Sequence, residues 1–118
     1  MSRSSRGEIN AEVRNNPAKY RYELWVEGEL AGYTQYVLRP GRIAYLHTEV
    51  YESYGGMGLG GRLARAALDD ARARGLVVMP FCPFIATYIE HHLDEYGDLV
   101  APEMLTEDRD HDPEASRR

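Results

Sequence analysis

The chain has 118 residues, 43% of them hydrophobic and 28% charged, with a net charge of -5 and a pI of about 5.3. That length suits one domain with a real core, and the acidic balance excludes a broad nucleic-acid footprint, which needs a basic face. No apolar run approaches the roughly 18 residues of a membrane span, MSRSSRGE lacks the apolar centre of a signal peptide, and the single Cys82 rules out an internal disulfide; a cytoplasmic setting is expected.

Residues 1–7 are polar and read as a loose tail. The charged end of the chain, TEDRDHDPEASRR, reads the same way. The expected domain spans 8–101, with 1–7 and 102–118 as flexible tails. EINAEVR, 8–14, reads as a short edge strand, and NNP turns it. KYRYELWVE then alternates. Tyr20, Tyr22, Leu24 and Val26 fall on one face, and Lys19, Arg21, Glu23 and Glu27 on the other, as in a half-buried strand. EGE leads to a strand over about 30–38. Pro40-Gly41 is a turn signal. RIAYLHTEV, 42–50, is a further strand. Together these read as an antiparallel meander.

From about Gly60 to Arg74 the pattern is helical. Leu63, Ala67 and Ala71 line one stripe, with Leu59 and Ala66 beside it. Gly75 stands where a C′ residue belongs, after Arg72 and Arg74. LVVMPF is a short apolar run of the kind buried on both faces of a sheet. PFIATYIEHH reads as a second helix with Pro83 in its first turn. The expected class is α+β, a meander followed by β-loop-α-β-α.

Ahead of the first helix stands YGGMGLGGRL, with five glycines between Gly55 and Gly61. Glycine costs conformational entropy, so such a cluster needs a cause. Gly56-Met57-Gly58-Leu59-Gly60-Gly61 satisfies the dinucleotide pattern G-x-G-x-x-G. Its context does not: no acid follows about 20 residues on for a ribose, and three antiparallel strands precede it. A Walker A loop is excluded because no Lys-Ser/Thr follows the glycines. What remains is a strand feeding a glycine turn that opens a helix, where unpaired N–H groups and the helix dipole attract anions. Arg62 and Arg65 in the first turns, with no acid, agree with an expected diphosphate.

HTEV at 47–50, YGGMGLGGRLARAALDDARARG and VVMPFCPFIATYIEHH together resemble the compact branch of the GCN5-related N-acetyltransferases. The resemblance runs over about 8–101 and is most specific between 45 and 92. The wider pattern Q/R-x-x-G-x-G/A places its last two positions on Gly58 and Gly60. Its Q/R position falls on Gly55, a departure that removes one polar contact. The resemblance implies the GNAT-like acyl-CoA N-acyltransferase fold, with a splayed parallel strand pair after the meander. It also implies an enzyme that moves an acetyl group from acetyl-CoA to an amine. Thr48, Glu49 and Val50 would line the acyl and pantetheine arm. The loop from Gly55 and Gly56 through Met57, Gly58, Leu59, Gly60, Gly61 and Arg62 would hold the pyrophosphate by backbone N–H groups, with Tyr54 near its entrance.

Acetyl transfer requires a neutral amine, stabilisation of the thioester oxygen and a proton for the departing thiol. A backbone N–H near Val50 is a candidate for the oxygen. By the same resemblance, Tyr88, on the helix after the second parallel strand, where the wider family often has a tyrosine, is a candidate acid; it also reads as a core aromatic spaced with Phe84. Cys82 reads as an acid, as a ping-pong nucleophile or as a buried small hydrophobe. His47 and Glu49 alternate on one face of their strand with Tyr45, and either suits the amine's proton, histidine having an ordinary pKa of about 6.5. His91 and His92, with Glu90, do not make a metal signal, and no metal is expected.

Only NNPAK separates the first two strands, where larger relatives carry helices that wall the acceptor site. The acceptor is therefore an unassigned small-molecule or protein amine, the expected state a monomer or a homodimer, and neither nucleic acid nor membrane is an expected partner. Two other readings stay open. One is a non-catalytic CoA or acyl-CoA-binding module or sensor. The other is a dinucleotide-binding domain.

Overall fold

The computed structural model describes residues 10–104. A five-stranded sheet runs in the order β1 (Ala11–Asn16), β2 (Arg21–Val26), β3 (Glu29–Arg39), β4 (Arg42–Val50), β5 (Val77–Pro80). The first four strands are antiparallel neighbours, and β5 joins β4 in parallel. Between β4 and β5 runs helix α1 (Leu59–Ala73), and after β5 come α2 (Pro83–Glu90) and the single turn α3 (Leu93–Tyr96). This is the expected meander followed by β-loop-α-β-α. The expected tails 1–7 and most of 102–118 lie outside the described residues. Up to Met104 the chain stays on the fold: Glu103 pairs with Arg42, and Met104 packs on the core.

All three helices bury into one cluster on one face of the sheet. Leu59, Leu63, Ala67 and Ala71 of α1 meet Tyr22, Leu24, Tyr36, Ile43 and Tyr45 of the strands, and Ile85, Ile89 and Tyr96 close the same cluster. Each fully buried leucine contributes about 1.5–3 kcal/mol. Tyr45 also donates its hydroxyl to the Ala67 carbonyl at 2.7 Å, so the strand and helix are joined by a polar bond inside apolar contact. Burial raises the Tyr45 hydroxyl well above its ordinary pKa and holds it as a donor. Gly75, at φ +69°, ends α1 as expected.

Several expectations need correction. Asn15 and Asn16 continue β1 opposite Tyr22 and Arg21. The turn is the 3-10 segment Pro17–Lys19, closed by a bond from the Tyr20 amide to the Pro17 carbonyl. Tyr20 leaves it left-handed, at φ +54°, and is 59% exposed, so it is not on the buried face. Glu23, expected on the solvated face, is 6% exposed. Asn16, Arg21 and the Trp25 indole all donate to its carboxylate. Burial opposes its charge, but those donors outweigh burial and hold its pKa below the ordinary value. β5 is not buried on both faces. Of its residues only Val78 is buried, because β5 is the last strand and, among the described residues, only Val100–Ala101 lie beyond it. The second helix ends at Glu90, not His92.

The largest correction concerns β4. Its register against β3 shifts between Gln35 and Tyr36, which pair with His47 and Tyr45 respectively. Leu46 is thus an extra residue, a bulge. Tyr45 faces the helices, whereas His47 and Glu49 face the opposite side. The three do not share a face, because one inserted residue resets strict alternation.

Candidate active site

β4 is nine residues long, but it pairs with β5 only from Arg42 to Tyr45. The last bond between the two segments runs from the Cys82 amide to the Tyr45 carbonyl at 2.8 Å. Beyond it the chain turns at Pro83 into α2, while β4 continues to Val50. Pro83 suits a helix start, since its missing N–H has no intrahelical partner there. The two strands therefore part, as expected.

The ladder to β3 shows which β4 groups face this gap. The Tyr51 amide donates to the Ala31 carbonyl at 2.8 Å. By antiparallel alternation, the backbone groups of His47 and Glu49 also point to β3. Those of Thr48 and Val50 point the other way, into the gap. An N–H and C=O edge of this kind binds an extended amide-bearing chain as a further strand would.

Side chains divide along the same strand. Thr48 lies on the helix side. Its hydroxyl is 2.9 Å from that of Thr34, and the Cys82 thiol donates to it at 3.2 Å. Cys82 is 2% exposed and Thr34 fully buried. On the other side His47 Nε2 lies 3.7 Å from Glu49 Oε1. Tyr33 donates to the same carboxylate oxygen at 3.3 Å, and its ring leans on His47 and on Tyr51. The thiol and the imidazole–carboxylate pair are thus on opposite sides of one strand.

The glycine turn follows β4 after a 3-10 turn over Glu52–Tyr54. Tyr54 donates to Glu29 at 3.1 Å, a bond that raises its pKa. Gly56 and Gly58 adopt φ +80° and +73°. Gly58 is the N-cap of α1, where it offers no side chain to the free N–H groups, and the first turn holds no acid. Gly60 has a different cause. A Cβ on Gly60 would stand 2.8 Å from Phe84 Cζ, and one on Gly61 3.6 Å from the Tyr88 ring. Of the five glycines, Gly60 thus answers to close approach of α2 rather than to backbone conformation, while a Cβ on Gly61 would make only ordinary contact. Gly55 has neither a positive φ nor a tight neighbour.

Four exposed large apolar side chains belong to the segments that flank the gap: Leu46 in β4, Met57 in the glycine turn, and Phe81 and Phe84 where β5 passes into α2. Exposed apolar side chains of this kind are what an apolar arm requires for its walls. Leu59 is buried in the core and offers the turn only its backbone. The Arg62 side chain lines a groove of about 320 Å³ with Ala11, Glu12, Val13 and Asp69, on the far side of α1 from α2. Arg65, expected to meet an anion, is instead committed to α3. It forks onto Glu95 at 2.9 and 3.0 Å and bonds the Tyr96 hydroxyl at 3.0 Å. Its pKa is raised by Glu95, whose own is lowered in turn. The acid that neutralises it stands 30 positions away, beyond the reach of local reading. The grooves beside α1, of about 320 and 430 Å³, adjoin β1 rather than the gap.

Tyr88 lies on α2 six positions after Cys82, about 9 Å along the helix. Its ring stacks on His92 at 4.1 Å, and His92 Nδ1 is 2.8 Å from the Tyr88 carbonyl. The Tyr88 ring also lies beside Gly61 at the N-terminus of α1, and Tyr88 makes no hydrogen bond to Cys82 among the described residues. Sequence reasoning missed Thr34, Tyr33 and Tyr51. Thr34 and Tyr33 are visible only once the β3–β4 register sets them against Thr48 and Glu49.

Residues 21–99 match the family model described as GCN5-related N-acetyl-transferase. The fold is similar to the NMR solution structure of a GCN5-like protein from Staphylococcus aureus. The TM-score is 0.58, the sequence identity 24%, and the match covers 78% of this chain and 89% of that one. At that identity the likeness speaks for the fold. No curated protein sequence matches this chain.

Proposed function

The chain belongs to the GCN5-related N-acetyltransferase family, and from that premise we propose that it transfers an acetyl group from acetyl-CoA to the nitrogen of an amine. One observation carries the reading: β4 parts from β5 beside a glycine-capped helix N-terminus, with the backbone groups of Thr48 and Val50 facing the gap. The residues present fit the cosubstrate. The free strand edge suits the amide groups of the pantetheine arm, the apolar rim suits its carbon chain, and the uncapped N–H groups from Met57 to Arg62 suit a diphosphate. The catalytic unit spans 8–101.

The reactive carbon comes with acetyl-CoA, as a thioester. The protein's part is orientation, charge and protons. The Val50 N–H donates to the carbonyl oxygen as charge grows there. His47 and Glu49, held together by Tyr33, take the proton of the attacking amine from the open side of the sheet. Tyr88 returns a proton to the departing sulfur; its hydroxyl makes no hydrogen bond among the described residues, which leaves that donor free. Cys82 is not a nucleophile in this scheme. Its thiol donates to a neutral hydroxyl that cannot take its proton, and the imidazole is on the other side of β4. Transfer is direct.

A second reading, a non-catalytic CoA-binding module, has one observation in its favour. Only Pro17–Lys19 joins β1 to β2, so that connection supplies no wall for an acceptor. Thermal denaturation with acetyl-CoA, CoA, NAD and ATP in parallel tests what both readings share. A ligand at 100 times its Kd adds about 2.7 kcal/mol, roughly ten degrees at this length. The shift is expected with CoA species alone. A shift with NAD instead, or none, overturns both. Release of free CoA thiol with an amine panel then separates enzyme from module.

A further inference from the structure

The two edges of the sheet are treated differently. The β5 edge is closed by the chain itself: Val78 bridges Val100, and the Ala101 amide donates to the Val78 carbonyl at 2.9 Å. The β1 edge has no strand beside it among the described residues. Unpaired edges are templates for pairing unless something blunts them.

The ladder fixes which β1 groups face outward. The Glu27 amide donates to the Asn10 carbonyl at 2.9 Å. By alternation, the backbone groups of Glu12, Arg14 and Asn16 point inward to β2, and those of Ala11, Val13 and Asn15 point out. We propose that β1 pairs antiparallel with β1 of a second copy, about a two-fold axis through Val13, to join two sheets into one.

In that register Val13 exchanges both backbone bonds with its own copy, and Ala11 exchanges both with Asn15. Every outward group from Ala11 to Asn15 is satisfied. Glu12 then stands opposite Arg14 of the other copy, and Arg14 opposite Glu12. Both pairs occupy the non-hydrogen-bonded position, where side chains come closest. Glu12 and Arg14 are half-exposed on one face and already paired with each other. The Trp25 ring, 5.0 Å below, holds the guanidinium in place. Association closes the two ion pairs into a ring of four charges. Moving the axis to Glu12 or Arg14 would set like charges face to face, so the charges select one register. On the other face Ala11 and Val13, half-buried over the grooves beside α1, would be covered by the same residues of the second copy. An isologous interface requires such self-complementarity.

Sedimentation of the full chain over a concentration series tests this. The wild type is expected to dimerise. Arg14→Glu sets Glu against Glu and is expected to raise the dissociation constant by about tenfold. The charge swap, Glu12→Arg with Arg14→Glu, is expected to restore it. Amide exchange at Ala11, Val13 and Asn15 should slow as concentration rises, while Glu12 and Arg14, bonded to β2, stay unchanged. A wild type that is monomeric throughout overturns the proposal. So does a dimer that Arg14→Glu leaves intact, a swap that fails to restore it, or exchange at those three amides that ignores concentration. None of these outcomes depends on the reaction the protein catalyses.

Discussion

Cys82 and Thr48 meet across the point where β4 and β5 part: thiol to hydroxyl at 3.2 Å, with Thr34 at 2.9 Å on the far side of Thr48. This chain of three small polar groups joins the start of α2 to β4 and β3. It makes Cys82 a tie between elements.

If transfer is direct, Cys82→Ser and Cys82→Ala should keep kcat within about tenfold, the equivalent of ~1.4 kcal/mol. Thr48→Val should cost more in stability than either, about 1–3 kcal/mol, because it strands the buried Thr34 hydroxyl. Steady-state rates with denaturant melts of the three variants check this. Loss of all turnover in a folded Cys82→Ser would speak for a covalent relay.

Glu49→Gln keeps the bond from Tyr33 but removes the carboxylate's basicity. The expected result is a fall in kcat of about 10²-fold or more with an unchanged Kd for acetyl-CoA. Tyr33→Phe, which only frees the carboxylate, should fall less. Equal losses in the two would show that Glu49 acts by position rather than as a base.

Two alanine substitutions in the glycine turn should part company. Gly58→Ala forces a side chain to φ +73° with nothing to clash against, and should destabilise by about 1 kcal/mol. Gly60→Ala gains about 1 kcal/mol of helix propensity, offset by pushing aside the end of the Phe84 ring. It should be near neutral in Tm. Melts of both variants decide it.

The buried Glu23 carboxylate sets an acid limit. Its pKa is lowered in the folded chain from an ordinary 4.5, so it adds stability above that value. The contribution disappears as pH falls below 4.5 through the folded pKa. Glu23→Gln should lose about 1–2 kcal/mol at pH 7 and show a flatter loss of stability below 4.5. A pH series of melts for both proteins would reveal a Glu23→Gln curve parallel to the wild type if the carboxylate were idle.

Local signals in the sequence were dependable where the cause is local. Pro40-Gly41 turns β3 into β4, Gly75 ends α1, and β4 spans residues 42–50 as its pattern states. Signals failed where the cause is distant. Nothing near Arg65 points to Glu95, and nothing in YELW shows that Asn16, from the strand before, covers Glu23. The bulge at Leu46 is the instructive case. RIAYLHTEV reads as unbroken alternation, and only its pairing with β3 shows that Tyr45 and His47 face opposite ways. Tyr33 stays hidden for the same reason, because a residue's place in a site built across strands is set by register.

The four-pair ladder between β4 and β5 has a mechanical side. Beyond Tyr45 and Cys82 no backbone bond joins the two segments among the described residues, and the thiol of Cys82 on Thr48 is the side-chain bond that spans the wedge, so these residues act as a hinge pin. A guest that brings its own amides completes a ladder the protein leaves unfinished. The cost of entry then falls on ordering the guest rather than on prising the sheet apart.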